Sequence, residues 1–112
     1  MNRRASLKGR LTIQAAFQGT VVFRGRRLRI SVVPADDRKF VLSVSRKVGN
    51  AVARNRLKRV TREGLAARLA RIPPGHYALR LLGLVDGHEF VETGRELDRW
   101  IATMAVPAPQ SS

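Results

Sequence analysis

Wound at about 100° per residue, residues 51–71 separate into two sides. Ala53, Leu57, Val60, Gly64 and Ala67 share one side; Arg54, Asn55, Lys58, Arg59 and Arg62 share the other, with Arg56 on the border. The pattern predicts a surface helix from about Ala51 to Arg71, with one stripe on a core and the opposite side in solvent. Asn50 stands where an N-cap belongs, and Pro73-Pro74-Gly75 stops the helix. Gly64 inside the helix costs ~1 kcal/mol relative to alanine, so a close backbone approach is expected there. Leu65 and Leu69 lie outside the stripe, which requires a second element over the later turns.

The basic side is the unusual part. A solvated helix face normally mixes signs, but Arg54, Lys58 and Arg62 are like-charged at i,i+4 spacing and repel one another. The basic residues of the first turns also face the positive pole of the helix. Nothing inside the helix offsets either cost, and a polyanion would offset both. The whole chain leans the same way, with 22 Lys+Arg against 8 Asp+Glu and a net charge of +14. Residues 1–45 carry +8 and residues 46–71 another +8, whereas residues 72–112 carry −2. The partner is then nucleic acid or an anionic membrane surface. The membrane fits poorly, because this helix needs its apolar stripe for the core.

Other classes drop out. There is no cysteine, hence no disulfide framework and no thiolate metal site. No apolar run approaches the ~20 residues that span a bilayer, and the N-terminus lacks the apolar segment of a secretory signal. A cytoplasmic protein is expected. With 112 residues the chain suits one domain, placed at 1–105, with a Pro- and Ser-containing disordered tail at 106–112.

The remaining segments read in order. Residues 1–9 are basic and polar and expected to be mobile without a partner. A short helix is predicted from Arg10 to Gln18, with Ile13, Ala16 and Phe17 on one face and Gly19 as a left-handed C′ residue. Thr20 to Phe23 is a strand, Gly25 marks a tight turn, and Leu28, Ile30 and Val32 alternate with Arg27, Arg29 and Ser31. After the Pro34–Asp37 turn, Lys39 to Arg46 alternates again. Phe40, Leu42 and Val44 form its core side; Val41, Ser43 and Ser45 form a shallow floor on the other. Tyr77, Leu79 and Leu81 belong to a last strand ending near Leu84. Asp86-Gly87 is a turn, and Thr93-Gly94-Arg95-Glu96 has the form of a capping box opening a helix with Leu97, Trp100, Ile101 and Met104 on one face. Trp100 and Tyr77 read as core, and His76 and His88 as ordinary strand or loop residues. The order αβββαβα defines an α+β sandwich.

The run Lys47-Val48-Gly49-Asn50-Ala51-Val52-Ala53-Arg54-Asn55-Arg56-Leu57-Lys58-Arg59 resembles the signature of the bacterial ribonuclease P protein subunit, and the likeness extends from about Leu7 to Met104. It implies a four-stranded central sheet with a left-handed β-α-β crossover through the basic helix, against the right-handed rule that holds in ~98% of cases. It also implies a protein cofactor of a ribozyme. The RNA subunit carries catalysis with Mg²⁺ and removes the 5′ leader of precursor tRNA. The protein binds that catalytic RNA through the Arg-Asn-Arg helix and its flanking loop. It holds the leader in a cleft between that helix and the sheet.

Carried over, the RNA-binding residues are Arg46, Lys47, Asn50, Arg54, Asn55, Arg56, Lys58, Arg59 and Arg62. The leader cleft takes Phe17, an aromatic position of the family, with Val41, Ser43 and Ser45. The resemblance has two departures. The family's earlier aromatic position in the first helix is Ile13 here, so stacking on a leader base rests on Phe17 or shifts to a residue such as Phe23. Where the last strand often ends Ala-Arg, this chain has Leu82-Gly83. Asp36, Asp37, Glu63 and Asp86 show no metal-ligand clustering, so Mg²⁺ would belong to the holoenzyme and the protein alone should not cleave. A monomer in a 1:1 ribonucleoprotein is expected. The alternative reading is a structural rRNA-binding protein, which the RNA that co-purifies from cells would distinguish.

Overall fold

The β-prone runs pair into one four-stranded sheet. The computed structural model describes residues 6–83 and 85–104; the expected tail at 106–112, and Leu84 as the end of the last strand, lie outside these residues. The elements are α1 (Arg10–Phe17), β1 (Thr20–Arg24), β2 (Leu28–Val33), β3 (Arg38–Val44), α2 (Ala51–Arg68), β4 (Gly75–Leu81) and α3 (Glu89–Met104). Short 3₁₀ turns occupy Arg46–Val48 and Leu69–Arg71. The sheet order is β1-β2-β4-β3, with β4 antiparallel to β2 and parallel to β3. The connection from β3 to its parallel neighbour β4 therefore runs through the basic helix.

Because side chains alternate along a strand, the register sorts every residue to a face. Leu28, Leu81 and Val44 lie side by side, as do Ile30, Leu79 and Leu42, and Val32, Tyr77 and Phe40. These rows meet Leu57 and Leu65 of α2 and Leu97, Trp100 and Ile101 of α3 in the main core. Trp100 sits edge-on to Tyr77 at 5.3 Å, and Tyr77 stacks on Phe40 at 5.4 Å. That column of rings joins α3 to two strands, and the Tyr77 hydroxyl donates to the Pro73 carbonyl at 2.7 Å. The other face holds a smaller cluster, where Leu7, Ala16 and Ala78 are buried with Ile13, Phe17 and Val41 against them. Thus α1 covers one side of the sheet, and α2 with α3 covers the other.

Several boundaries differ from expectation. The buried stripe of α2 is Leu57, Val60, Thr61, Gly64 and Leu65, while Ala67 is exposed. It drifts toward Leu65 because α3 covers that side: a Cβ on Gly64 would lie 2.8 Å from Leu97 Cδ1. Gly19 is not left-handed; it is small because a Cβ would collide with the Val32 carbonyl. Ser6 and Leu7 are not loose. Leu7 is buried, and its amide donates to the Phe40 carbonyl at 2.7 Å, along the free edge of β3.

The capping box at Thr93–Glu96 is also overturned, since α3 begins at Glu89. Asp86 Oδ1 accepts the His88 amide at 2.9 Å, and Glu89 Oε1 accepts those of Asp86 and Gly87 at 3.0 and 2.8 Å. The operative start signal is Asp86-x-x-Glu89, an acid-capped version of the same pattern. Glu96 works across the fold instead. Its buried carboxylate accepts the amides of Arg26, Arg27 and Leu28 at 3.0–3.1 Å and so ties the β1–β2 turn to α3.

Candidate nucleic-acid interface

The basic stretch is held by its own sequence. Ser45 Oγ accepts the Lys47 amide at 3.3 Å, starting the 3₁₀ turn, and buried Val48 anchors it. Gly49, at φ 135°, lets the chain reverse into α2, and Asn50 Oδ1 caps the helix by accepting the Ala53 amide at 3.0 Å. This leaves Arg46, Lys47 and Asn50 exposed beside the first turn, with Asn55, Arg56, Arg59 and Arg62 exposed and Arg54 and Lys58 half-buried along the helix.

Ion pairs divide these cations. Arg56 reaches the buried Glu89 at 3.3 Å, and Arg59 meets Glu63 at 3.5 Å. At the end of α2, Arg68 binds Asp98 at 2.6 Å, and Arg71 of the following 3₁₀ turn joins it at 3.3 Å. Hydrogen bonds to Arg68 above all, set against burial, hold the Asp98 carboxyl below its ordinary range. The Glu89 carboxyl is likewise lowered, chiefly by its own amide, with Gly87 and Arg56 contributing. Among the described residues, Arg46, Lys47, Arg54, Lys58 and Arg62 have no carboxylate within ion-pair distance. Arg54 Nε is in addition shut off from solvent, with no hydrogen-bond partner among the described residues.

The sheet-facing side of α2 is filled by the buried Leu57, Val60 and Leu65. A recess lies on the other face, beside α1, lined by Phe17, Val21, Arg29, Ser31, Ala78 and Arg80. Val41 lies under α1 in this face's cluster, and Ser43 stands next to Arg80 in register. Ser45 is committed to the 3₁₀ turn instead. Phe17 lines the recess, with the Arg80 guanidinium 5.3 Å from its ring centre. Phe23 cannot replace it, because it opposes Ile30 and packs on the main core.

The sequence matches the protein family described as Ribonuclease P over residues 1–105. The chain belongs to this ribonuclease P protein family. A Ribonuclease P protein component from Thermus scotoductus is 44% identical over 71 residues, 63% of this chain and 42% of the relative. One from an Exiguobacterium species is 35% identical over 81 residues, 70% of this chain and 71% of the relative. The chain thus spans less than half the length of the first relative. The fold agrees with the solved RNase P protein of Staphylococcus aureus at TM-score 0.73 and 20% identity, covering 91% of this chain and 96% of that one.

Of the residues lining the recess, sequence reasoning did not single out Val21, Arg29, Ala78 and Arg80. Alternation already placed Arg29 and Ser31 on one face; the strand register showed which face and which neighbours. Among the described residues no three His, Asp or Glu side chains come together to hold a metal.

Proposed function

We propose that the chain is the protein subunit of a ribonuclease P, in which RNA performs the chemistry. The α2 ridge with the Arg46–Asn50 loop would dock on the catalytic RNA, and the recess beside α1 would receive the 5′ leader of precursor tRNA. The observation that carries the reading is the split among the basic residues of α2. Those facing α3 are neutralised by acids, while Arg54, Lys58 and Arg62 form a ridge whose mutual repulsion phosphates would relieve. The protein's part in cleavage is to position RNA and screen charge. Mg²⁺ belongs to the RNA, the assembly is one protein to one RNA in the cytoplasm, and the protein alone does not cleave.

Reconstitution tests this directly. The chain is added to a cognate catalytic RNA at low Mg²⁺, and precursor tRNA cleavage is followed beside binding of substrates with and without a leader. The expected result is faster cleavage and a leader-dependent gain in affinity. An unchanged rate with no such gain would overturn the reading.

A further inference from the structure

The chain has four Phe, one Tyr and one Trp, and all but one of these rings have a partner. Phe40, Tyr77 and Trp100 stack in the core column. Phe17 lies under the Arg80 guanidinium and Phe23 under that of Arg99, at 5.3 and 6.0 Å from the ring centres. Phe90 differs from all of them. It is 58% exposed, and among the described residues neither a ring nor a guanidinium stacks on it. It also stands outside both apolar clusters. The ring therefore supplies surface and little of the core.

Phe90 stands at the seam of α2 and α3. Gly94, one turn later on the same side of α3, faces α2, since a Cβ on it would lie 3.0 Å from Arg68 Nη2. One residue before Phe90, Glu89 holds Arg56 at 3.3 Å and so draws the first turns of the two helices together. Val52, four residues before Arg56 and on its side of α2, is 78% exposed, and Val85, just ahead of the Asp86 cap, is exposed as well. The charges of this shoulder are already paired. Glu89 takes Arg56 and Glu63 takes Arg59, while Asp86 is held by Arg27 and Glu92 by Arg95. An apolar, internally neutralised shoulder thus borders the exposed Asn55, Arg59 and Arg62 of the basic helix.

We propose that Phe90 is a stacking platform for an unpaired base of the catalytic RNA. A second copy of a chain with net charge +14 is repelled, so a polyanion is the occupant that the surroundings favour. Its phosphates belong on the bare cations of α2. The shoulder, whose own charges are paired, takes the part of a nucleotide that carries none. Every base has a π-face, so an exposed ring beside a basic surface holds one without reading its sequence. The inference rests on α2 docking on the catalytic RNA, and it adds the first turn of α3 to that interface. Its signature is a share of the affinity that salt does not remove, because stacking releases no counterions.

The test measures binding of the full chain to a cognate catalytic RNA, without substrate, across a salt series. Phe90→Ala should weaken binding at least ~5-fold, the lower end of what a base–aromatic stack contributes, with the log–log salt slope unchanged. Phe90→Leu keeps apolar bulk without a π-face and should lose about as much, whereas Phe90→Tyr should keep the affinity. Phe90→Trp reads the contact directly. Its exposed indole should be quenched as RNA binds, against the background of the unsubstituted chain, whose Trp100 is buried. All four variants should melt as the unsubstituted chain does. Full affinity in Phe90→Ala or Phe90→Leu would overturn the inference, as would an unquenched indole. So would a Phe90→Ala chain without a cooperative melt, since the ring would then be core, and so would a loss seen only when precursor tRNA is bound to the holoenzyme. If the unsubstituted chain does not bind the catalytic RNA at all, the parent reading falls as well, so the two failures are distinct.

Discussion

The two sides of α2 carry the same residue types and do opposite work. Toward α3, Arg56, Arg68 and Arg71 meet Glu89 and Asp98, and Arg68 also donates to the Gly64 carbonyl at 2.9 Å. Away from α3, Arg54, Lys58 and Arg62 have no acid within reach among the described residues. The acidic C-terminal third explains the difference. Its carboxylates sit on α3 and its leading turn, and neutralise only what α3 touches. One helix is thereby fastened on one side and left charged on the other, so a count of arginines says little until each is assigned a side.

Five experiments can break or sharpen that contrast. The largest effect on stability is expected from Val60→Asp, which buries an unpaired charge under the fastened side. It should cost on the order of 4 kcal/mol or more and leave the chain mostly unfolded, as read by far-UV circular dichroism; a cooperative melt near that of the unsubstituted chain would mean the buried stripe is misassigned. Next comes Glu96→Ala, which strips three amides of their acceptor at a cost of roughly 2–4 kcal/mol. Glu96→Gln keeps an acceptor and should recover part of that loss in urea titrations. Equal stability of the two variants would show that the hairpin latch contributes little.

Arg68→Ala should cost about 1 kcal/mol, because Asp98 is half in solvent and screened, with RNA affinity little changed. Acid should expose the same contacts. The Asp98 and Glu89 carboxyls have lowered values in the folded state, so the stability they contribute is fully present above the ordinary carboxylate values of about 4. It is lost as pH falls through the lowered folded values. Urea midpoints should hold from neutral pH to about 5 and drop below about 4, and Arg68→Ala should flatten part of the drop; a level profile into strong acid would contradict the pairing.

The smallest effect on stability, and the largest on binding, belongs to the bare side. Arg54→Ala and Lys58→Ala should each leave stability within about 0.5 kcal/mol while the pair weakens catalytic-RNA binding at least ~10-fold at moderate salt. If the paired Arg68→Ala weakened RNA binding as much, the two sides would not differ as described.

The legible parts of the chain were those that local chemistry settles. The α2 phasing, the Asn50 cap, the alternation in β2 and β3 and the Leu97–Met104 face all follow from backbone periods of 3.6 and 2, and the motif around Arg54–Arg56 identified the family. Thr93–Glu96 misled because a Glu three residues after a Thr has the same spacing whether it caps its own helix or, as Glu96 does, reaches a hairpin about 70 residues earlier in the sequence. Phe17 was found as an aromatic of α1, but its contact with Arg80 required the placement of α1 on the sheet.

By itself the sequence determined that α2 has a buried and a basic side, because that follows from helical geometry acting on neighbours a few residues apart. Tertiary structure decided which cations remain bare and where the recess lies. Those depend on β2, β4 and α3 meeting across separations no local rule spans: Arg29 opposite Arg80, Asp98 beneath Arg68, and α1 on the face that α2 does not cover.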